Sequence, residues 1–445
     1  MFLIGFHYKF YRLVILMRRV VAITLVLIFL FLTSCTRKED SNAIRVCIDL
    51  AGIDSSKTSE VQAAFERLVF NCAQEGGPQD VCIEVIPYDG SERASMIERI
   101  RTEFISGKGP DIFVVTSSKN DSLFRYPQTI MKRNLLLPLD SYISAAKYME
   151  WDQFNQNVVD IGKYDGEQYL IPLDYSFPVT LYKKNDILHT PSQDLCWQDM
   201  LADNSNFLAS AVCDVDGSFG YSYTQFISNI FGHIADYDNG ELLISEEELY
   251  DIIINIFEVN DRDYSQLPNR LRVRMGVLQN AFQNFGFANQ TYVEPFRDDD
   301  ALTMIPMYQT EGGITATVDH YVGINRNTNN PEGAFFILDY LLSRDSQQYS
   351  DVYRNITNYL SLPVHNALLS PDYPVFGWNM NQESFQELCT LRNQITCVRF
   401  NSVLELSLSK LYIDCKQACD GYGGGNIKDI VHEAYRVIRM DLSES

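Results

Sequence analysis

Between residues 44 and 142 the sequence alternates short apolar runs with segments whose apolar residues recur every three or four positions. The runs at 44–50, 81–88 and 111–115 have the length of buried strands, whereas 58–70 and the segment that ends at Gly107 have helical spacing. Apolar strands that are separated by helices favour a parallel sheet with helices on both faces. The sequence therefore predicts an α/β fold for this part of the chain.

Beyond residue 142 the pattern is mixed. An extended segment at 166–182 is followed by mostly helical sequence, in which Ser245 and Glu248 form a predicted capping box. Further strands are predicted at 301–306 and 317–324, and further helices at 332–342, 383–391 and 427–442. A chain of 445 residues exceeds the usual size of a single core. The interleaving therefore predicts two lobes, one of which the chain leaves and later re-enters.

The first 34 residues have the pattern of an export signal. They contain four basic residues and no acidic one, and a basic pair precedes the thirteen mainly apolar residues Val20–Leu32. A helix of that length reaches about 20 Å, short of the roughly 30 Å hydrocarbon core, so a signal peptide is favoured over a membrane span. Met17, directly before the basic pair, is an alternative start.

A lipid anchor is predicted where this leader ends. The sequence Leu-Thr-Ser-Cys at 32–35 resembles the lipobox of bacterial lipoproteins, in which the cysteine is lipidated and becomes N-terminal. Residues 35–43 are mostly polar and aperiodic, and they predict a short tether between the lipid and the fold. We therefore expect the protein to be held at a membrane through Cys35.

The net charge excludes some classes of partner. The whole chain carries −22, and removal of the basic leader leaves −26. A strongly acidic exterior repels nucleic-acid phosphates and disfavours both anionic lipid surfaces and anionic solutes. We expect no nucleic-acid partner.

The sequence lacks the patterns of common catalytic and cofactor sites. It contains no GxxxxGK[ST] loop and no GxGxxG, and the pair His432-Glu433 has no second histidine four positions on. The six histidines also lack the spacing of zinc ligands. We expect no catalytic residue, no cofactor and no metal ion.

Nine cysteines remain after Cys35, and an exported location permits disulfide bonds. The odd number leaves at least one thiol unpaired, and the connectivity does not follow from sequence. The candidates are the near pairs Cys72/Cys82, Cys389/Cys397 and Cys415/Cys419.

Four segments together carry a family resemblance. They are Glu103–Phe113 (EFISGKGPDIF), Gly166–Pro172 (GEQYLIP), Leu181–Asp186 (LYKKND) and Val322–Phe336, which contains VGIN and NPEGAFF. In this order and spacing they resemble the family 1 extracellular solute-binding proteins of bacterial carbohydrate ABC importers. The resemblance extends over nearly all of residues 44–445.

The resemblance implies a two-lobed periplasmic-binding-protein-like fold. Each lobe would be a mainly parallel sheet flanked by helices, with a ligand cleft between the lobes. The implied N-lobe comprises residues 44–173 and 280–322, and the implied C-lobe comprises 174–279 and 323–445. The implied function is to capture a sugar or oligosaccharide and deliver it to ABC permease subunits. The protein would act as a monomer, anchored by lipid at the outer face of the bacterial cytoplasmic membrane.

Ligands of open α/β sheets bind beyond the carboxyl ends of the strands. The candidates there are Asp54 and Ser55 after the first predicted strand, and Ser117 and Ser118 after the third. Their short polar side chains suit sugar hydroxyls, although capping of the following helices is an equally good explanation.

Two further groups of candidates come from the later sequence. The segment between Pro172 and Pro178 resembles the first crossing between lobes, so side chains there should face the cleft or the hinge; the candidates are Asp174, Tyr175 and Phe177. Aromatic faces can stack on sugar rings, although each ring could instead belong to the core. The aromatic candidates are Tyr221, Tyr223, Phe285, Tyr321 and Trp378.

Two other functions remain open from the sequence. One is an exported, lipid-anchored hydrolase that acts on glycans through a pair of carboxylates. The other is a surface receptor or adhesin that keeps the fold without a permease.

Overall fold

The computed structural model describes residues 43–50, 58–117, 121–184, 195–212, 227–262, 270–275, 302–356, 361–370, 381–421 and 424–445. The longer strands are β1 (Ile44–Asp49), β2 (Val81–Ile86), β3 (Ile112–Thr116), β6 (Leu170–Pro172), β8 (Phe177–Lys183), β11 (Arg270–Met275), β12 (Leu302–Pro306), β13 (Ile314–Val318), β14 (His320–Ile324) and β16 (Ile395–Phe400). The two-residue strands are β4 (Lys163–Tyr164), β5 (Glu167–Gln168), β7 (Asp174–Tyr175), β9 (Ala235–Asp236), β10 (Glu241–Leu242) and β15 (Leu362–Pro363).

The described helices include those predicted near 58–70, before Gly107, after Ser245 and near 332–342, 383–391 and 427–442, together with others that were not individually predicted. They are α1 (Thr58–Gln74), α2 (Gly90–Ile105), α3 (Pro127–Lys132), α4 (Asp140–Ile143), α5 (Gln156–Val159), α6 (Trp197–Ala202), α7 (Phe207–Val212), α8 (Glu246–Asn260), α9 (Pro331–Leu341), α10 (Arg344–Tyr349), α11 (Asp351–Ile356), α12 (Gln382–Arg392), α13 (Val403–Cys419) and α14 (Ile427–Ser443). The predicted capping box opens α8, where the Glu248 amide donates to Ser245 Oγ and the Ser245 amide donates to Glu248. No helix in these described ranges is long and apolar enough to cross a membrane.

The main sheet has five strands in the order β2-β1-β3-β14-β6. β1 pairs in parallel with β2 and β3, as the sequence predicts. β14 then adds antiparallel to β3, and β6 adds antiparallel to β14. All five residues of β3 are buried, so both faces of the central strand are covered.

A second group of strands lies around β8. β8 is the centre of a three-stranded sheet and pairs antiparallel with β11 and β12. β13 pairs in parallel with β16. The expected parallel pairing therefore holds for the first three strands of the main sheet, while the three-stranded sheet is antiparallel throughout.

The sheets divide the chain differently from the predicted lobe boundaries. A boundary between residues 322 and 323 would cut β14, which hydrogen-bonds to β3 over its whole length. Helix α9 continues in the same part of the fold, because it packs against α1 and β14. Conversely, β12 pairs with β8 and β13 pairs with β16, outside the main sheet. The family resemblance had implied that residues 302–318 belong to the N-lobe. These pairings place β14 in the main sheet and β12 beside β8 in the three-stranded sheet, and they join β13 to β16.

The three candidate cysteine pairs are not joined as disulfide bonds in the described structure. Among the described residues the thiols are free at Cys47, Cys72, Cys82, Cys196, Cys389, Cys397, Cys415 and Cys419. Cys72 lies on the buried face of α1, whereas Cys82 is exposed on the edge strand β2. Proximity in sequence therefore does not bring these two sulfur atoms together.

Candidate functional site

The carboxyl ends of β1, β2 and β3 meet at one edge of the main sheet because these strands are parallel. Four candidate site residues were expected at this edge from the sequence. Ser117 directly follows β3, and it is buried. Its amide donates to the carbonyl oxygen of Asp319 at 2.8 Å, and its hydroxyl donates to the same oxygen at 3.3 Å. Asp54, Ser55 and Ser118 lie outside the described residues.

One buried guanidinium holds this edge together. Arg93, on α2, is 1% exposed and donates to Asp49 at the end of β1 (2.8 Å) and to the carbonyl of Pro87 after β2 (2.9 Å). It also donates to the carboxylate of Asp121 after β3 at 2.9 Å and to its carbonyl at 3.1 Å. The second oxygen of Asp49 accepts the amide of Leu123 at 2.7 Å. Arg93 thus fixes the starts of the connections that follow all three parallel strands.

Two described segments pass from the main sheet to the second group of strands. The first runs from β6 through β7 into β8, and the second runs from β13 through Asp319 into β14. They are joined where Nδ1 of His320 lies 2.8 and 2.9 Å from the two carboxylate oxygens of Asp174. Both side chains are buried, at 4% and 2% exposure. This pair places Asp174 at the junction of the two crossing segments, where its carboxylate is buried and not on an open surface.

Tyr175 lies next to Asp174 in the same crossing segment. Its ring is buried, and its hydroxyl accepts hydrogen bonds from Asn155 and from the guanidinium of Arg392 at the end of α12. The Arg392 guanidinium carbon lies 5.9 Å from the centre of the same ring, within the range of a cation–π contact. β7 also pairs with β15, so a third part of the chain contacts this segment.

A buried histidine lies near the same junction. His365, two residues after β15, has Nε2 at 3.1 Å from Glu150, and its ring packs edge-on against Phe154. Burial lowers the pKa of His365, although Glu150 acts in the opposite direction. The imidazole is therefore favoured in its neutral form in the folded protein.

Two of the aromatic candidates, Phe177 and Tyr321, lie in the core, the alternative that the sequence left open for the aromatic rings. Phe177 and Tyr321 are each 0% exposed. The Tyr321 ring packs edge-on against Phe400 at 4.7 Å, and burial, followed by the charge of Asp49, raises its pKa well above the usual value. Both rings sit in strands that are buried on both faces, which leaves no open face for a solute. Tyr221, Tyr223, Phe285 and Trp378 lie outside the described residues, as does Cys35.

The structure adds Arg93 and His320 to the residues that sequence reasoning identified. A signal for Arg93 was present, because it falls on the buried face of α2 with Ile97, Ile100 and Phe104. An arginine on an apolar stripe indicates a buried ion pair. No comparable local signal marks His320, whose partner Asp174 is 146 residues away in the chain.

Two features together are typical of binding proteins with two lobes. The parallel strands β1 to β3 end at one edge of the main sheet, and two segments of the chain cross from this sheet to the strands around β8. The chain has the two-lobed fold of periplasmic binding proteins. It belongs to the bacterial extracellular solute-binding proteins, whose family profile matches residues 54–348.

Solved structures agree with this assignment of the fold. A family 1 extracellular solute-binding protein from Alicyclobacillus acidocaldarius superposes with a TM-score of 0.55 at 13% identity, covering 91% of this chain and 100% of its own. The cyclic α-maltosyl-1,6-maltose binding protein of Arthrobacter globiformis gives 0.52 at 14% identity, with coverages of 91% and 99%. A periplasmic oligogalacturonide binding protein from Yersinia enterocolitica gives 0.54 at 11% identity, with coverages of 90% and 99%. No curated protein sequence matches this chain.

Proposed function

We propose that this protein captures a neutral sugar or oligosaccharide between its two lobes and delivers it to the permease subunits of an ABC importer. The observation that carries the proposal is the family membership over residues 54–348, because the family consists of solute-binding proteins. Two of the similar solved structures are binding proteins for cyclic α-maltosyl-1,6-maltose and for oligogalacturonide, which supports a saccharide as the class of solute. The acidic balance of the chain favours a neutral sugar over an anionic one.

The proposed solute contacts lie at the edge that Arg93 organises. Asp54, Ser55 and Ser118 would supply hydrogen-bonding groups after β1 and β3. Tyr221, Tyr223, Phe285 and Trp378 would supply aromatic faces. The buried residues Ser117, Asp174 and Tyr175 would act behind these contacts by fixing the two crossing segments.

The proposed mechanism is lobe closure around the solute. A solute that contacts both lobes binds the closed form more tightly and shifts the population towards it. The crossing segments would absorb the change in backbone angles, and the closed form would be recognised by the permease. The Asp174–His320 contact joins two of those segments, so it is a fixed point about which closure would occur.

A thermal-shift screen tests the choice of solute. We expect one class of neutral oligosaccharide to raise Tm by about 3–5 °C at a hundred times its Kd, because binding to the folded state alone adds about 2.7 kcal/mol. Oligogalacturonides of equal length are the matched anionic control and should stabilise less. The same samples are analysed for cleaved products by chromatography.

Each outcome of the screen decides between functions. Stabilisation without cleavage supports a binding protein, whereas cleavage identifies the hydrolase alternative. A panel with no stabilising sugar contradicts carbohydrate binding. Two permease genes beside this one would favour an importer over a receptor or adhesin.

We also propose a lipid anchor at Cys35. Replacing Cys35 with serine should release the mature protein into the medium, because residues 36–43 are too polar to hold it in a bilayer. Cell fractionation with detection of the protein measures the release, and Cys82→Ser, at an exposed thiol, is the control. Retention of Cys35→Ser in the membrane fraction would contradict the anchor.

A further inference from the structure

A long groove on the main-sheet part of the molecule is not explained by the proposed cleft. Its main part has a volume of about 780 Å³ and lies between α1, the loop that ends at Glu150, and the chain from the end of α9 to Asp351. A second depression of about 380 Å³ shares Arg67 and Asp351 with it and extends to Ser59 in the first turn of α1. The main part has the volume of an ordinary small-molecule site. Together the two follow α1 along almost its whole length, which is about 25 Å.

Three tyrosines line the main part of the groove. The rings of Tyr148 and Tyr340 meet edge-to-face with their centres 5.3 Å apart, which holds both in fixed orientations. Tyr349 is 66% exposed, an unusual degree for a large ring on a folded surface. The groove therefore offers one open aromatic face beside a fixed aromatic pair.

The polar groups of the groove include several that are free to bind a ligand. Asn71, Arg344 and Asp345 line it, and their side chains form no hydrogen bond or ion pair with another described residue. Arg67 is paired with Asp351 at 2.8 Å, and both side chains remain more than half exposed. Amide, guanidinium and carboxylate groups together supply both donors and acceptors, which is what a hydroxyl-rich ligand requires.

The walls of the groove are held in place from behind. The buried carboxylate of Asp339 accepts the backbone amides of Lys147 (2.8 Å), Tyr148 (3.1 Å) and Met149 (2.7 Å). Glu150, the next residue, contacts the buried His365. The loop that carries Tyr148 is thus fixed at four consecutive residues, which lowers the entropy cost of binding at this wall.

The composition of the groove decides between classes of ligand. Three cationic and four anionic side chains line its main part, so it does not select a charged ligand. Ala64 and Leu68 are the only aliphatic residues among the described lining of that part, which is too little for the apolar centre of a protein interface. The described residues also contain no group of three or more side chains that could hold a metal ion. The class of ligand that fits this lining is therefore a neutral, hydroxyl-rich oligosaccharide.

We propose that this groove is a second carbohydrate site, which binds a neutral oligosaccharide along α1 through the Tyr349 ring and the polar groups of Asn71 and Asp345. The site does not depend on the proposed cleft. The second depression reaches the first turn of α1, so the groove ends at the amino terminus of that helix. An oligosaccharide held there would be kept at a high local concentration beside the protein.

Hydrogen–deuterium exchange of the full mature chain tests this site. The probes are maltoheptaose, cellohexaose and mannohexaose at millimolar concentration. We expect at least one of them to slow exchange in the peptides covering 144–151 and 340–351. The variants Tyr349→Ala and Asn71→Ala should each raise the sugar concentration needed for half-maximal protection about tenfold, as expected for an anchor residue. Both positions are exposed, so the fold should persist.

Phe70→Ala is the matched control. Phe70 lies on the same helix and is 64% exposed, but it does not line the groove, so its removal should leave the protection unchanged. Protection of these peptides that survives both groove variants would overturn the proposal. So would a sugar that stabilises the protein without protecting these peptides, and this result would leave the proposed cleft function intact. Protection at the groove alone would support the second site and contradict the cleft.

Discussion

Replacing Arg93 with alanine is expected to lower the free energy of unfolding by about 3–5 kcal/mol, because it removes the cation of a buried ion pair with the carboxylate of Asp49. Asp49 is 0% exposed, and Arg93 is its ion-pair partner at 2.8 Å. The substitution also removes donors from the carbonyls of Pro87 and Asp121. Urea unfolding should therefore show a lower midpoint with an unchanged m-value.

The effect should extend to solute binding. Arg93 joins the connections that follow β1, β2 and β3, so its loss frees the loops on which the proposed contacts Asp54 and Ser118 lie. Arg93→Lys keeps the charge but not the branched geometry, and it should fall between the wild type and Arg93→Ala in both stability and affinity.

Arg67→Ala is the control for this prediction. Arg67 forms an ion pair of the same length with Asp351, but the two side chains are 59% and 52% exposed. Exposed pairs contribute about 0–1 kcal/mol, so the unfolding midpoint should change little. If Arg93→Ala and Arg67→Ala lowered the free energy of unfolding equally, the burial of the Arg93 ion pair would make no contribution to stability.

Replacing Asp339 with alanine is the second large expected effect. Its carboxylate is 3% exposed and accepts three consecutive backbone amides, those of residues 147–149. Hydrogen bonds to a charged group contribute about 1.5–3 kcal/mol each, and they are not additive, so we expect a total loss of about 3 kcal/mol or more. Chemical denaturation measures the total, and amide exchange at 147–149 measures the local opening.

Two variants delimit the role of Asp339. Asp339→Asn keeps one acceptor oxygen and the size of the side chain, so its loss should be smaller. Asp345→Ala removes a nearby exposed carboxylate that has no described partner, and it should stay within about 0.5 kcal/mol of the wild type. If the amides of residues 147–149 kept their protection in Asp339→Ala, the assignment of this carboxylate as the anchor of the loop would be incorrect.

The first three strands of the main sheet and the helices between them are predictable from sequence, because the signals for each element lie within that element. The predicted strands and helices between residues 44 and 116 match β1, α1, β2, α2 and β3 to within a few residues. Each has a clear apolar period and a clear end, such as the positive φ of 77° at Gly107 after α2. The resemblance of ordered motifs then gave the family, which the profile match confirms.

The crossing region is not predictable in the same way. The sequence of 317–324 reads as one strand, whereas the structure divides it at Asp319 into β13 and β14. Contacts with distant residues cause this break. The backbone carbonyl of Asp319 accepts hydrogen bonds from the amide and the hydroxyl of Ser117, and the Asp319 carboxylate accepts one from the side-chain amide of Asn401 at 2.8 Å. These partners are distant in sequence, so periodicity alone could not reveal that the chain changes sheets there.

The position of β14 in the middle of the main sheet has a consequence for biosynthesis. Ser117 and Asp319, which meet where β3 and β14 pair, are 202 residues apart, and β6 joins the sheet only through β14. The amino-terminal strands therefore leave the ribosome long before their neighbour exists, and β3 keeps an open edge until residue 324 has been made. Closing so long a loop is a slow folding step. A nascent chain of this protein therefore needs protection of the β3 edge from edge-to-edge aggregation until β14 is available.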